Sequence, residues 1–190
     1  MPGYRSVTTA PEASMSLPAE AVRLTGEGIV LREWESADLP VMVELFDTPD
    51  VAARTPLRSP FDLAAAREYF AMIERTRAEG RRLHLAITAD GGSPLGEVLI
   101  STSQGTMGYA VGPAHRGRGL AQRAGRLLVD YAHRVLGLSP VRLEIERDNA
   151  ASIAVARAMD FRETGEAPTP VYEKGRSFSL YSWSHDAPLQ

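Results

Sequence analysis

From Val22 onward the apolar and polar positions fall into a regular order. VRLTGEGIVLREW alternates around a glycine-containing turn and predicts a strand pair. Ser36 or Asp38 is placed to cap a helix that carries Val41, Val43, Leu45 and Phe46 to near Asp47, with Pro40 tolerated in its first turn. A loop containing Pro49, Pro56 and Pro60 follows. Asp62 then caps a second helix, LAAAREYFAMIERTRAE, which Gly80 stops.

Three strand candidates come next. LHLAITA ends at the Asp90-Gly91-Gly92 turn, PLGEVLISTS follows, and TMGYAV comes after Gly105. Tight turns make these antiparallel neighbours. Leu120, Ala124, Leu127, Leu128, Tyr131, Ala132 and Val135 then recur at helical spacing, so a helix is predicted to start near Gly117 or Arg118. Val141, Leu143 and Ile145 alternate with Arg142, Glu144 and Glu146 as a half-buried strand. Asp148 or Asn149 caps a short helix, AASIAVARAM, and FRETG and SFSLYSWS read as closing strands. This mixed order predicts an α+β (mixed α/β) domain, with a central, mostly antiparallel twisted sheet and helices on both faces.

Composition narrows the function classes. The chain has 190 residues and suits one domain. Residues 1–21, rich in Pro, Ser, Thr and Ala, read as a disordered tail. Residues 22–186 form the domain, and 187–190 a C-terminal tail. The absence of cysteine excludes disulfides and thiolate catalysis, and fits a reducing compartment. The N-terminal segment lacks an apolar h-region and no run is long enough for a membrane span, so a cytoplasmic location without membrane partners is expected. A net charge of -3 disfavours direct nucleic-acid binding. No metal site is expected.

Against that background HRGRGLAQRAGRLL, from His115 to Leu128, stands out. Arg116, Arg118, Arg123 and Arg126 lie at or near the end of a helix where the macrodipole is already positive, a placement unfavourable by ~0.3–1 kcal/mol when exposed. Gly117 and Gly119 let backbone N–H groups approach a ligand, and the helix start leaves several of them unpaired. A bound phosphate group would reconcile both features. The spacing matches neither a Walker loop, since no lysine lies here, nor a dinucleotide fingerprint, since Gln122 holds the third glycine position. A solvated, arginine-rich helix start with glycines for the turn remains the alternative.

About thirty residues on, ERDNAASIAVARAMDF places Asn149 and Ser152 at a second helix start. As plain structure these are a cap and a small surface residue. If both helix starts open on one end of the sheet, the Asn149 amide would meet a ligand's amides and Ser152 would exchange a proton.

Together, R-G-R-G-L-A, the helix after it and D-N-x-x-S-x-x-V-x-x-x-x-F resemble the GNAT superfamily of N-acetyltransferases, most nearly its RimJ/RimL type, which acetylates ribosomal-protein N-termini. The resemblance spans roughly Val22 to Trp183. It implies a GNAT-like sheet with a splayed central strand pair. It implies acetyl-CoA as cosubstrate, with the pyrophosphate on the backbone of Arg116, Gly117, Arg118, Gly119, Leu120, Ala121 and Gln122. The pantetheine arm would add to the strand at Tyr109, Ala110 and Val111, and Asn149 would complete the cofactor site. The implied reaction moves the acetyl group to a primary amine by direct attack in a ternary complex. The acceptor is a protein N-terminus or a small-molecule amine, and the protein a monomer or homodimer.

Acetyl transfer needs a base for the amine, donors for the oxygen that gains charge, and a proton for the departing sulfur. Many GNAT enzymes supply that proton from a tyrosine seven residues after the Asn; here the position is Ala156. The resemblance therefore points to Ser152 as proton donor, with Asn149 and Ser152 both against the cofactor. For the base it points to the segment FRETGEAPTPVYEKG, where Glu166 and Glu173 are the candidates; Glu97, Glu144 and Glu146 are also placed to face the cleft, as is a water chain. Asp160 stands where the family commonly has a helix-stopping Gly. A non-catalytic CoA-binding regulatory module is the alternative reading.

Overall fold

The computed structural model describes residues 17–188. The chain opens with a hairpin, β1 (Arg23–Gly26) and β2 (Ile29–Glu33), closed by Glu27 and Gly28 at φ 53° and 68°. Positive φ at both turn positions matches the right-handed twist of the strands. Three helices follow: α1 (Leu39–Phe46), α2 (Pro49–Arg54) and α3 (Leu63–Ala78). Then come β3 (Arg82–Thr88), β4 (Pro94–Ser101) and β5 (Met107–Val111), which complete an antiparallel sheet in the order β1-β2-β3-β4-β5. Next are α4 (Leu120–Arg134), β6 (Val141–Glu146), α5 (Ala150–Ala158), β7 (Arg162–Glu163), β8 (Thr169–Glu173) and β9 (Arg176–His185). The second sheet runs β6-β9-β7, with β8 paired onto β9.

β5 and β6 touch only at their beginnings. Thr106 bridges Arg142 in parallel sense, and Arg142 N donates to Gly105 O at 2.8 Å. Beyond that point the strands part into separate sheets, so β5 is an edge strand of its own sheet. This is the expected splay, and it sets the position of the site.

The period-two pattern of β3 divides the core in two. Leu83, Leu85 and Ile87 pack with Ala124, Leu128 and Ala132 of α4. Ala86 faces the other side, among Met42 and Phe46 of α1 and Ala66 and Ile73 of α3. Helices therefore cover both faces of the sheet, and β3 is buried along nearly its whole length.

Several local expectations change. The proline-rich stretch 48–60 is not all loop. Thr48 Oγ1 accepts from Val51 N, and Pro49 takes the first helical position of α2, where its missing N–H costs nothing. Between the two segments read as closing strands lies β8, an outlying strand whose Pro170 is tolerated because one side needs no ladder bonds. Asp38 precedes α1 but does not cap it with its side chain; Arg32 holds that carboxylate through bonds of 2.7 and 2.9 Å. Of the segment read as an N-terminal tail, 1–16 lies outside the described residues. Residues 17–21 run against the domain: Leu17 is buried, and Arg77 Nη2 donates to the carbonyls of Pro18 and Glu20. At the other end, residues 189–190 lie outside the described residues, and Ala187 N donates to Ser139 Oγ. Asp160 adopts φ 63°, the left-handed helix stop that glycine takes most readily.

Candidate active site

The chain leaves β5 through Gly112 and a short turn at Pro113–His115, then bends through Gly117 and Gly119 at φ 71° and 68°. α4 begins at Leu120, slightly later than the periodicity predicts, and Gly119 provides no side-chain cap. Its first N–H groups are those a helix leaves without carbonyl partners. A Cβ built on Gly117 or Gly119 meets nothing within 4 Å. The turn thus presents bare backbone and open space, the form an anion cradle takes.

Three of the four arginines divide by role. Arg116 Nε donates to Val111 O at 3.0 Å, and its Nη2 lies 2.5 Å from Asp50 Oδ2. Arg123 reaches away to Glu27 O and Arg118 O. Arg126 Nη2 donates to Ala158 O at 2.7 Å, with Gln122 Nε2 on the same carbonyl at 3.4 Å, so both serve the C-terminal end of α5. Part of the positive charge at the start of α4 therefore answers the negative end of the adjacent helix.

A cavity of about 460 Å³ opens in front of this turn. Its lining includes Tyr109, Ala110 and Val111 of β5, then Arg116, Gly117, Gly119, Leu120, Ala121 and Gln122, and Asn149 and Ser152 of the second helix start. Arg118 is the one residue of the expected cofactor set that does not line it. His115, Asp50 and Arg54 do. Asn149 Oδ1 accepts from Ser152 N at 3.1 Å, which caps α5 and leaves the amide NH2 for another acceptor. The Tyr109 hydroxyl donates to Ser152 O at 3.3 Å across the splay, and burial raises its pKa, keeping it protonated.

A second cavity of about 230 Å³ adjoins the first. Arg54, Thr55, Tyr109, Ala110, Asn149 and Ser152 line both, so the two are halves of one cleft. On the inner wall of the second half, Glu97 of β4 is 2% exposed. Its Oε1 accepts from the Tyr69 hydroxyl at 2.8 Å and lies 2.7 Å from His84 Nδ1. Burial and the adjacent Glu97 charge push the Tyr69 phenol well above its usual range. The outer wall is made by the end of α2, through Arg54, Thr55 and Leu57, and by Glu144 and Glu146 of β6. Arg54 and Arg176 both reach Glu146, at 3.1 and 2.5 Å, and Arg54 also pairs with Asp148 at 2.7 Å. Hydrogen bonds from Arg176 and Arg54 hold the Glu146 carboxyl below its usual value. Lys174 donates to the carbonyls of Ala52, Thr55 and Leu57, and Arg176 to that of Ala53, which ties the turn to the end of α2.

The two glutamates favoured for the base lie elsewhere. Glu166 is exposed, 3.5 Å from Arg142 Nη1, and Glu173 ends β8 at the hairpin; neither lines either half of the cleft. They follow β7, and β8 draws that segment away from the splay. Glu97, Glu144 and Glu146 do line it. Nothing in the sequence singles out Tyr69, whose helical spacing marks it only as core; a contact between α3 and β4 places it in the site.

The acetyltransferase (GNAT) domain model matches residues 29–162. An N-acetyltransferase p20 of Bacillus licheniformis, itself uncharacterized, is 27% identical over 164 residues, covering 83% of this chain and 92% of the relative. Among solved structures, Mycobacterium smegmatis RimJ in complex with CoA-disulfide superposes with a TM-score of 0.70 at 19% identity, over 86% of each chain. Spermidine N-acetyltransferase from Vibrio cholerae, in complex with CoA and spermine, gives 0.71 at 16% identity, over 85% of this chain and 96% of that one. The structural likenesses establish the fold, and the domain match, which spans most of the chain, establishes that this protein belongs to the GNAT acetyltransferase family.

Proposed function

We propose that the protein transfers an acetyl group from acetyl-CoA to a primary amine, of a small molecule or a protein N-terminus, with both substrates bound in the cleft. One observation carries this reading: β5 and β6 part so that the bare backbone turn before α4 and the Asn149 cap of α5 face one continuous cavity. The open space at Gly117 and Gly119 fits a pyrophosphate, and the unpaired edge of β5 fits an amide-bearing arm. That the RimJ and spermidine N-acetyltransferase structures hold CoA species supports the assignment.

Acetyl-CoA supplies the activated acyl group. The residues of this chain bind and orient it. The backbone of Arg116 to Gln122 takes the diphosphate, with Arg116 adding charge, and Tyr109 to Val111 with the Asn149 amide take the arm. Ser152, at the junction of the two halves of the cleft, gives the departing sulfur its proton, in the role that the resemblance assigns it and that Ala156 cannot fill.

The test is a thermal melt with acetyl-CoA beside ATP and NAD, followed by thiol release with an amine present. Saturation at about 100 times the dissociation constant stabilises the fold by ~2.7 kcal/mol. A shift with acetyl-CoA alone and amine-dependent thiol release is the expected result. Binding without release would leave a CoA-binding module, and no shift would remove the cofactor.

A further inference from the structure

We infer that the smaller half of the cleft is the acceptor site for a single primary ammonium on an apolar body, and that Glu97 binds that ammonium and takes its proton. This rests on the acetyl-transfer reading above and goes beyond it to the substrate class and the base.

The argument begins with the carboxylate. Glu97 has two donors, Tyr69 and His84, and both converge on Oε1. Among the described residues Oε2 has only the longer contact of 3.2 Å from the same hydroxyl. A carboxylate offers about four lone-pair sites, so Oε2 retains capacity on a group that lines the cavity. Burying a carboxylate is costly unless it is paired and hydrogen-bonded. Among the described residues His84 Nε2 is buried without a partner, which fits a ring whose proton is on Nδ1, donated to Glu97. In that tautomer the ring brings a hydrogen bond and no charge, and the pairing cation is the substrate's.

The rest of the wall sets the body of the acceptor. Phe46, Leu57, Leu99, Leu143, Ile145 and Leu180 line the same space. Glu146 also lines it, but Arg54 and Arg176 already pair with it, and Arg54 puts a fixed cation on that wall. Glu144 is exposed and solvated. A polyamine would bring a second ammonium into apolar surroundings beside Arg54, where desolvation is uncompensated. One ammonium with an aliphatic or aromatic body meets no such cost.

The chemistry balances. The ammonium gives one proton to Glu97, and the neutral nitrogen forms the C–N bond as the thioester C–S bond breaks. The acylated nitrogen loses a second proton and the sulfur gains one through Ser152, and Glu97 returns its proton to solvent. Apolar surroundings disfavour the charged ammonium, which eases the first step.

Three measurements test this. Wild-type kcat/KM is compared for phenethylamine, spermidine and a short alanine-initiated peptide. Phenethylamine is expected to lead by at least about tenfold, the discrimination an apolar pocket supplies. Preference for spermidine or for the peptide overturns the acceptor class.

Glu97→Gln, close to isosteric, is then assayed from pH 7 to 9.5. At pH 7 its kcat/KM for phenethylamine should fall by about 10²-fold or more. The deficit should narrow as pH rises toward the ~10 of an alkylammonium, where the amine arrives already neutral. Tyr69, His84, Arg82, Arg54, Glu144 and Glu146 surround the group and are unchanged in the comparison. Activity near wild type at pH 7, or a deficit constant with pH, overturns the role of Glu97.

The acetyl-CoA melt on the same variant separates the two levels of the argument. A retained shift with lost turnover supports this inference. A wild-type protein that acetyl-CoA does not stabilise overturns the acetyl-transfer reading and this one with it.

Discussion

Asp50 of α2 and Arg116 of the glycine turn face each other across the cofactor half of the cleft, with Asp50 Oδ2 2.5 Å from Arg116 Nη2. Burial pushes the Asp50 carboxyl up, but hydrogen bonds from Thr48 and Arg116 outweigh it and hold it below its usual value. An arriving phosphate competes with this carboxylate for the same guanidinium. Asp50→Asn should therefore tighten acetyl-CoA binding. Both side chains are about half exposed, so the pair is worth at most ~1 kcal/mol, or up to about fivefold in affinity. Titration calorimetry at low salt reads this directly, and an affinity that falls would show that Asp50 helps hold the cofactor.

Gly119→Glu should abolish acetyl-CoA binding. Its side chain would enter open space in front of the helix start and bring like charge to the diphosphate. The left-handed φ of 68° adds roughly 1–2 kcal/mol of backbone strain. The variant should remain folded by circular dichroism and show no acetyl-CoA shift. An unchanged shift would remove the cradle assignment.

Ser152→Ala should lower kcat by about 10²-fold, the low end for a lost proton donor. Acetyl-CoA affinity should stay within about twofold, because the bond from Ser152 to Asn149 uses the backbone N–H, which alanine keeps. Wild-type turnover would take Ser152 out of the chemistry and turn attention to the Tyr109 hydroxyl.

The arginine pair on Glu146 has a pH signature. The folded-state pKa of Glu146 is lowered, so its contribution to stability is present above the usual carboxylate range, near ~4.3, and is lost as pH falls through the folded value. Arg176→Gln removes the first cause of that shift. Its urea midpoint should lie below wild type at pH 7, and the two should converge below about pH 4. A gap that persists in acid would assign the effect to the Arg176 guanidinium stacked over the Phe178 ring.

How much of this the sequence disclosed follows from the range of each interaction. The α4 turn and the Asn149 cap are local, written in glycine, arginine and asparagine within a few residues, and both sit where the motif spacing puts them. α2 was hidden by three prolines, although Thr48-Pro49 is itself a helix-start pattern. β8 was hidden by Pro170 and its short length. The Tyr69–Glu97–His84 group was not legible at all: its members come from α3, β3 and β4, and only strand register and helix docking bring them together. Glu97 was visible as one of several glutamates on strands, with nothing in its own neighbourhood to single it out.

The tie between the β8–β9 turn and the end of α2 has a practical consequence. Lys174 is the chain's sole lysine, and its ammonium is engaged by three backbone carbonyls at the end of α2, beside the cleft. An acetyltransferase with no other side-chain amine offers little of itself to its own cosubstrate. It also carries a built-in reporter: amine-directed labelling of Lys174 proceeds only as fast as the wall lets go, so its rate, with and without ligand, times the opening of the cleft at a single atom.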